Sequence, residues 1–180
     1  SVMQERDKDI KISVIIPFRN SGRFIGQCCK SLFGQTMKEV EYIFVDDGST
    51  DSSLSTVKTV LESYPSRKGS VKIISHPTSQ GVANSRQEAL DIAKGEYIIH
   101  CDSDDYLEPE MYRQLMQEAA SNKIDCVYCG FRQQLPSLQF ADVIEMGEMR
   151  YGKDDIEHLS RRFVMDFCGN RLNFGIWHGV

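Results

Sequence analysis

The sequence predicts an α/β fold in which a mainly parallel β-sheet is covered by alternating helices on both faces. From Ile12 onward, short runs rich in β-branched residues alternate with longer segments whose apolar residues recur at helical spacing. Each strand–helix unit is roughly 25–30 residues long, which fits a right-handed crossover between parallel strands. Acidic clusters directly follow two of the runs. Because open α/β sheets bind ligands at the carboxyl ends of their strands, we expect the functional site at that edge.

Five apolar runs have the length and composition of buried strands: residues 12–16, 42–45, 71–74, 97–99 and 126–129. The first run ends at Pro17, which lacks a backbone donor. The second ends in the turn-forming stretch Asp46-Asp47-Gly48-Ser49-Thr50-Asp51. Residues 135–147 leave room for one more strand, around Val143-Ile144.

Five segments carry an apolar stripe at helical spacing: residues 24–33, 54–64, 82–93, 111–119 and 156–167. Ser21 offers an N-cap for the first helix, and Gly34 closes it. Pro109 marks the start of the fourth, since proline is favoured in the first helical turn. The stretch from His76 to Gly81 is expected to be a loop.

Composition favours one globular domain that does not bind nucleic acid. The chain has 180 residues, of which 41% are hydrophobic and 26% charged, and no apolar run approaches a membrane span. A net charge of −5 argues against a basic nucleic-acid groove. Among the six cysteines, Cys126-x-x-Cys129 lacks the second pair that a zinc site needs, so we expect buried thiols in a reducing cytoplasm.

The strongest chemical signal is Asp102-Ser103-Asp104, which follows the strand run 97–99 directly. Unpaired carboxylates are too costly to bury, so they must lie where the strand reaches the surface. There they can bind Mg²⁺ or Mn²⁺, ions that prefer oxygen ligands and share them with substrate phosphates. The same pattern occurs at Asp7-Lys8-Asp9, but within a polar stretch that we interpret as a solvated tail.

Three strand-end segments are expected to meet at one edge: Phe18-Arg19-Asn20, Asp46-Asp47-Gly48-Ser49 and Asp102-Ser103-Asp104. Arg86 lies about one turn into the third helix, whose positive N-terminus would favour a phosphate. Structural roles remain open for two of these groups. Asp46 could cap the following helix, and Arg86 could be a solvated surface charge.

Four stretches, in this order and spacing, resemble family 2 glycosyltransferases: residues 12–20 (ISVIIPFRN), 43–51 (IFVDDGSTD), 81–86 (GVANSR) and 94–105 (KGEYIIHCDSDD). The resemblance covers roughly residues 11 to 110. It implies a GT-A fold, a Rossmann-like sheet of the kind described above. It also implies inverting transfer of a sugar from a nucleotide diphosphate sugar, most simply a UDP-sugar.

The resemblance also implies roles for individual residues. The nucleotide-sugar-binding positions are Pro17, Phe18, Arg19, Asn20, Asp46, Asp47, Gly48, Arg86, Asp102 and Ser103. Within this set, Asp47 would accept the imide N–H of the base while Asp46 supports its loop, and Arg86 would meet the base or the diphosphate. Asp102 would face the ribose and the metal, and Asp104 would hold Mn²⁺ or Mg²⁺ against the phosphates. The family usually has Tyr at the position of Arg19.

The resemblance implies three regions: a polar tail (1–10), a nucleotide-sugar-binding domain (11–131) and the start of an acceptor-side region (132–180). Trp177 resembles a Trp that precedes an acceptor-side helix in this family. The general base has no counterpart before Val180, so we expect it beyond that residue and expect the chain to be a fragment that transfers sugar slowly. Seven later acidic residues are the remaining alternatives: Asp142, Glu145, Glu148, Asp154, Asp155, Glu157 and Asp166.

The expected partners are the sugar donor and a saccharide or lipid-linked acceptor for polysaccharide or cell-surface glycan synthesis. The expected location is the cytoplasm or, through peripheral association, the inner face of the membrane. Two rival functions remain. A sugar nucleotidyltransferase would need a Gly-rich basic loop where this chain has residues 17–22 (PFRNSG). A receiver-type signalling domain would need an Asp after the third strand, where Ser75-His76 stands, and a Lys after the fifth.

Overall fold

The computed structural model describes residues 10–122, 126–129, 133–134, 140–141 and 175–178. Eight strands occur in these ranges: β1 (Ile12–Phe18), β2 (Val40–Asp46), β3 (Val71–Ser75), β4 (Tyr97–His100), β5 (Cys126–Tyr128), β6 (Gln133–Gln134), β7 (Phe140–Ala141) and β8 (Gly175–His178). Six of them form one sheet in the order β3-β2-β1-β4-β8-β5, and β6 pairs with β7 separately. All five predicted strands are therefore present.

Four α-helices occur in the described ranges: α1 (Ile25–Phe33), α2 (Ser53–Glu62), α3 (Val82–Ile92) and α4 (Met111–Asn122). A 3₁₀ helix, Pro65–Ser70, leads into β3. Each α-helix corresponds to a predicted one. The predicted helix at 156–167 and the predicted strand around Val143 lie outside the described residues.

The sheet is buried on both faces, as a doubly covered sheet requires. Strands β1 and β2 are buried along their whole length and run parallel, with Ile12 opposite Val40 and Phe18 opposite Asp46. One face packs against α1, α2 and α4, with Val14, Ile16 and Phe44 at its centre. The other face is a smaller cluster that includes Ile15, Val45 and Ala89 of α3. This layering brings the carboxyl ends of β1, β2 and β4 to one edge.

Strand β8 departs from the predicted pattern. No strand was predicted at residues 175–178, but Gly175–His178 lies between β4 and β5 and is antiparallel to both. The sheet is thus parallel in β3, β2, β1 and β4 and mixed beyond β4. Trp177 is opposite Ile98 on one side and Cys126 on the other. Residues after 131 therefore contribute to the same sheet as residues 11–131.

Two predicted boundaries were also wrong. Strand β1 continues through Pro17 to Phe18, because the pairing of β1 with β4 ends at Ile15–His100 and Pro17 has only β2 as its neighbour. Ser21 does not cap α1. A turn intervenes, in which the carbonyl of Ser21 accepts the N–H groups of Phe24 and Ile25, and α1 begins at Ile25.

Candidate functional site

The loop after β1 is tied to the loop after β2 by hydrogen bonds. Asn20 has a left-handed backbone conformation (φ 49°), which asparagine tolerates better than most residues. Its side-chain oxygen accepts the N–H of Thr50 (2.8 Å), and its own N–H donates to the Ser49 hydroxyl (3.1 Å). The N–H of Asp47 donates to the carbonyl of Phe18 (2.9 Å). The two strand-end loops therefore form one unit, as predicted.

The loop after β1 also contacts the acidic segment after β4. The hydroxyls of Ser21 and Ser103 lie 2.7 Å apart. Below them, the buried thiols of Cys28 and Cys101 both approach the carbonyl oxygen of Asp102, at 3.7 and 3.6 Å. Ser21 and Cys28 therefore help to hold the acidic segment in place through these contacts. The sequence analysis treated Ser21 only as a helix cap.

Asp46 and Asp47, adjacent in sequence, accept hydrogen bonds from different sides. Asp46 accepts the N–H of Ser49 (3.0 Å) and the hydroxyl of Ser75 (3.1 Å), so it stabilises its own turn and the end of β3. It does not cap α2. The first turn of that helix is instead bound by Asp51, whose carboxylate accepts the N–H (2.9 Å) and hydroxyl (2.5 Å) of Ser53.

The carboxylate of Asp47 accepts four hydrogen bonds from the segment His76–Gly81, which we call the donor-side loop. Oδ1 is bound by Gln80 N–H (2.7 Å) and lies 3.0 Å from Nδ1 of His76, while Oδ2 accepts the Ser79 hydroxyl (2.6 Å) and Gly81 N–H (3.0 Å). Burial alone would raise the pKa of Asp47, but these hydrogen bonds outweigh it and lower the pKa well below its usual range. All four lone-pair sites are engaged. A base could bind Asp47 only by replacing one of these partners.

Gly48 lets the donor-side loop approach the backbone after β2. Its φ is +71°, and a Cβ placed there would lie 2.8 Å from the backbone nitrogen of Ser79. A side chain would therefore collide with backbone, which cannot move as the tip of a flexible side chain can. Gly48 was predicted as a nucleotide-contacting residue. In the structure it permits the contact between loops.

The buried imidazole of His76 joins two carboxylates. Its Nε2 lies 2.6 Å from Oε2 of Glu88, on α3, while its Nδ1 faces Asp47 as described above. Hydrogen bonds to Asp47 and Glu88 raise the pKa of His76, against the effect of its burial. Neither His76 nor Glu88 was singled out from the sequence. A histidine following a strand carries no local signal of its distant partners.

The acidic segment after β4 faces Arg86, as predicted. Nη2 of Arg86 lies 2.9 Å from Oδ1 of Asp102, and both side chains are partly exposed. Burial, with the nearby carboxylates of Asp102 and Asp104, raises the pKa of Asp105 to about 7. Three carboxylates therefore crowd one strand end with one arginine against them. Asp105 is a further site residue that the motif contained but the analysis did not assign.

A divalent cation fits this donor set. Burial is the main cause of the raised pKa of Asp105, and the neighbouring carboxylates of Asp102 and Asp104 add to it because ionised carboxylates repel one another. In the described part of the chain, no group of three or more His, Cys, Asp or Glu side chains could hold a metal by itself. A cation here would use one or two carboxylates and complete its shell with water and substrate phosphate, as Mg²⁺ commonly does.

The predicted residues after β1 have unequal access to this edge. The side chain of Phe18 packs edge-on against Phe44 in the core, and its carbonyl accepts the N–H of Asp47, so a nucleotide contact at Phe18 stays a prediction. Pro17 is buried within β1. Arg19 and Asn20 are exposed and remain available. The seven acidic candidates for a general base lie outside the described residues.

The cysteines and helices agree with the sequence analysis where the structure describes them. The five cysteines in the described residues, Cys28, Cys29, Cys101, Cys126 and Cys129, form no disulfide, and the first three are buried. Burial raises the pKa of the Cys29 thiol beyond its usual range, so that thiol is unreactive. None of the helices within the described ranges is both long and apolar enough to span a membrane.

An open α/β sheet with acidic and basic side chains at its carboxyl edge defines a class of ligand-binding proteins, and sequence comparison identifies the family. The profile of Glycosyl transferase family 2 matches residues 13–170. The protein belongs to this family.

Individual relatives support the assignment. The chain is 36% identical over 123 residues to the "Uncharacterized glycosyltransferase EpsJ" of Bacillus subtilis, covering 68% of this chain and 34% of that protein. It is 40% identical over 119 residues to the "Poly(ribitol-phosphate) beta-glucosyltransferase" of Bacillus spizizenii, covering 64% and 18% respectively. The chain thus spans about a third or less of the length of these relatives.

Solved structures show the same fold. The crystal structure of S. aureus TarS 1–349 in complex with UDP superposes with a TM-score of 0.60 at 30% identity, covering 66% of this chain and 35% of that one. TarS 1–349 was also solved in complex with UDP-GlcNAc, at 32% identity to this chain. These neighbours confirm the predicted GT-A fold.

Proposed function

We propose that the carboxyl edge of the sheet binds a nucleotide diphosphate sugar. The observation that carries this proposal is the ion pair of Arg86 with Asp102, the first of the carboxylates that follow β4. Arg86 supplies a cation for the diphosphate, and the carboxylates supply the ligands for a divalent metal ion. The exposed Arg19 and Asn20 border the same edge and would line the nucleotide.

In this proposal, Asp102 and Asp104 hold Mn²⁺ or Mg²⁺ and Asp102 also faces the ribose. When bound, the cation supplies positive charge to the departing diphosphate. Arg86 then has to exchange its partner, since the guanidinium that binds Asp102 in the structure would turn to the phosphates. Ser103, held by the Ser21 hydroxyl, fixes the segment between the two carboxylates.

We further propose a uridine nucleotide as the donor base. TarS, which is 30–32% identical to this chain over the matched region, was crystallised with UDP and with UDP-GlcNAc. Asp47 would read the imide N–H of the base by giving up one of its four partners. Ser79 is the partner that can leave with least loss, because it is exposed and bound through a rotatable hydroxyl, whereas Gln80 and Gly81 bind through the backbone and His76 is buried.

The proposed reaction is inverting transfer of the sugar to a saccharide or lipid-linked acceptor in polysaccharide or cell-surface glycan synthesis. A general base would deprotonate the acceptor hydroxyl for in-line attack. A lipid-linked acceptor would bring the protein to the cytoplasmic face of the membrane by peripheral association. A sugar nucleotidyltransferase is disfavoured because residues 17–22 (PFRNSG) are not the Gly-rich basic loop that it needs after β1, and Asn20 binds this segment to the loop after β2.

Calorimetry with a panel of nucleoside diphosphates tests the proposal. We expect UDP to bind more tightly than GDP, ADP or CDP in the presence of Mn²⁺, and to bind much more weakly with EDTA. Equal affinity with Mn²⁺ and with EDTA would exclude the metal. Failure of every nucleoside diphosphate to bind would exclude the nucleotide site as a whole.

A further inference from the structure

The arrangement around His76 links two elements of the proposed donor site. His76 follows β3, and only 7% of its side chain is exposed. Its two ring nitrogens face carboxylates from different elements: Asp47 after β2 at 3.0 Å and Glu88 in α3 at 2.6 Å. The Glu88 side chain is 43% exposed, whereas that of Asp47 is 7% exposed.

The geometry requires a particular protonation state. An ionised carboxylate can only accept hydrogen bonds, so each ring nitrogen that faces one must carry a proton. A neutral imidazole has one protonated nitrogen and would place a lone pair against one carboxylate. The His76 ring therefore satisfies both contacts only as an imidazolium, which is consistent with the direction of its pKa.

The two carboxylates belong to the parts of the site that hold the donor. Asp47 fixes the donor-side loop through Ser79, Gln80 and Gly81. Glu88 is two positions after Arg86, and residues two apart on a helix point in different directions. Arg86 can therefore reach Asp102 beyond β4 while Glu88 reaches His76 beyond β3. The imidazolium thus joins α3 to the base side of the site.

Resting on the proposed function, we propose that His76 is a positioning residue: as an imidazolium held between Asp47 and Glu88, it keeps the donor-side loop and α3 in the arrangement that binds the nucleotide. Donor affinity should then depend on a proton that neither the nucleotide nor the metal provides. The contact with the more exposed Glu88 is the one that deprotonation breaks first, because this carboxylate can turn to water while Asp47 keeps the remaining ring N–H.

The sign of the pH dependence follows from the groups that face the ring. These are Asp47 from the end of β2 and Glu88 from α3, while on its own side the neighbouring Ser75 is bound to Asp46. Both facing groups are acidic, so they favour the charged ring. Because the pKa of His76 is raised, both ring contacts are present below about pH 6.5, the usual histidine pKa. The contact with Glu88 is lost as the pH rises through the higher pKa of the folded protein.

The test compares wild-type protein with Glu88→Gln, using UDP with Mg²⁺ as the probe in calorimetry from about pH 6 to about pH 8.5. A glutamine amide can accept a hydrogen bond from the charged ring through its oxygen or donate one to the neutral ring through its NH2 group, so this variant no longer needs the imidazolium. The ratio of the two affinities at each pH cancels ionisation of the nucleotide and of the metal. Asp91→Asn, on the same helix but bonded to Gln87, is the matched control for loss of one negative charge.

We expect the wild-type affinity to fall roughly threefold to tenfold relative to Glu88→Gln over this range, the effect of losing one coupled contact. Asp91→Asn should follow wild type. His76→Asn, which keeps a donor toward Asp47 only, should bind weakly at all pH values. The imidazole proton resonances of His76 should titrate above the usual histidine range in wild type and shift to lower pH in Glu88→Gln.

Three results would overturn the inference or its basis. If UDP binds but the ratio of the wild-type affinity to the Glu88→Gln affinity is constant across pH, the positioning role of His76 is excluded while the proposed nucleotide site is not. A His76 ring that titrates at the usual pH in wild type would exclude the imidazolium. Absence of UDP binding by wild type at every pH would exclude the proposed function, and the role of His76 in it.

Discussion

At the scale of single residues, the acidic groups of the site differ in how many of their oxygens are already bound. Asp47 has all four acceptor positions filled by the donor-side loop. In the described part of the chain, the carboxylate of Asp102 pairs with the exchangeable Arg86, and Asp104 is exposed. Sequence reasoning treated all three as ligand contacts. The structure separates a carboxylate that organises a loop from carboxylates that remain open to a cation.

The first prediction concerns Asp47→Asn in the absence of any ligand. An amide cannot accept all the hydrogen bonds that the carboxylate accepts, so buried donors lose their partner. We expect a loss of about 2–3 kcal/mol in the free energy of unfolding, measured by chemical denaturation near neutral pH. The pKa of Asp47 is lowered in the folded protein, so its contribution to the free energy of unfolding is fully present above about pH 3.9, the pKa in the unfolded chain. This contribution is lost as the pH falls through the lower pKa of the folded protein.

Asp91→Asn is the control, since it removes a carboxylate from the exposed face of α3. It should change the free energy of unfolding by less than about 0.5 kcal/mol. Equal stability of Asp47→Asn and wild type would mean that Asp47 acts only on a bound ligand, as the sequence analysis predicted.

The second prediction concerns Asp104→Asn. If this exposed carboxylate holds the cation, its loss should weaken Mn²⁺-dependent UDP binding about tenfold or more while the residual affinity in EDTA is unchanged. Calorimetry with and without the metal measures both. Asp91→Asn should retain the metal dependence of wild type. A similar loss in EDTA would show instead that Asp104 supports the fold of the segment after β4.

At the scale of elements, the four strand–helix units were predictable because each has its own local period. Strands β1 to β4 and helices α1 to α4 all begin within a few residues of their predicted positions. The errors arose where distant groups decide. Ser21 was predicted to cap α1, but a turn precedes that helix. The Ser21 hydroxyl instead lies 2.7 Å from the hydroxyl of Ser103. The partners of His76 could not be found either, since Asp47 and Glu88 reach it only after α3 packs on the sheet.

The third prediction concerns the contact between α3 and the segment after β4, and uses Arg86→Gln. Arg86 competes with a cation for Asp102 in the free protein, so its removal should raise the affinity for Mn²⁺ alone about twofold to fivefold, as expected for a partly exposed ion pair. The same change should weaken UDP binding about tenfold by removing a charge-assisted contact to phosphate. Mn²⁺ titration by electron paramagnetic resonance and UDP calorimetry measure the two effects separately.

Arg113→Gln, which breaks the exposed pair of Arg113 on α4 with Glu110 just before the helix, is the matched control and should change neither affinity. Weaker binding of Mn²⁺ by Arg86→Gln would contradict the competition. It would show that Arg86 orders Asp102 for the cation instead of occupying it.

At the scale of the whole molecule, β4 and β5 are joined within the sheet by a strand, β8, that no local pattern indicated. Strand β8 has four residues, begins with glycine and lacks a clear alternation, so its sequence alone is typical of a loop. Its partners β4 and β5 are far away along the chain. Without β8, the facing edges of β4 and β5 would lack partners, and buried backbone groups must find hydrogen-bond partners. The need for a strand there thus arises from the sheet and not from the local sequence. The predicted division at residue 131 therefore separates residues that share one sheet.

The last prediction tests this dependence with Ile176→Pro. Ile176 is opposite Ile99 of β4 and Val127 of β5, at the centre of the strand that joins them. Proline removes the N–H that pairs across the sheet, and its ring does not fit an internal strand, so we expect a loss of about 3 kcal/mol or more in the free energy of unfolding. Ile176→Val keeps the backbone donor and should cost about 1 kcal/mol or less.

Hydrogen exchange should show which strands are affected: the amides of β4 should lose protection in the proline variant, while those of β2, which pairs with β1 and β3, should keep theirs. Because Asp102 and Asp104 follow β4 directly, Mn²⁺-dependent UDP binding should weaken in the same variant although no proposed ligand contact is changed. Unaltered stability and protection in Ile176→Pro would mean that residues 11–131 form the sheet by themselves, as the sequence analysis predicted, and that β8 adds nothing to the site.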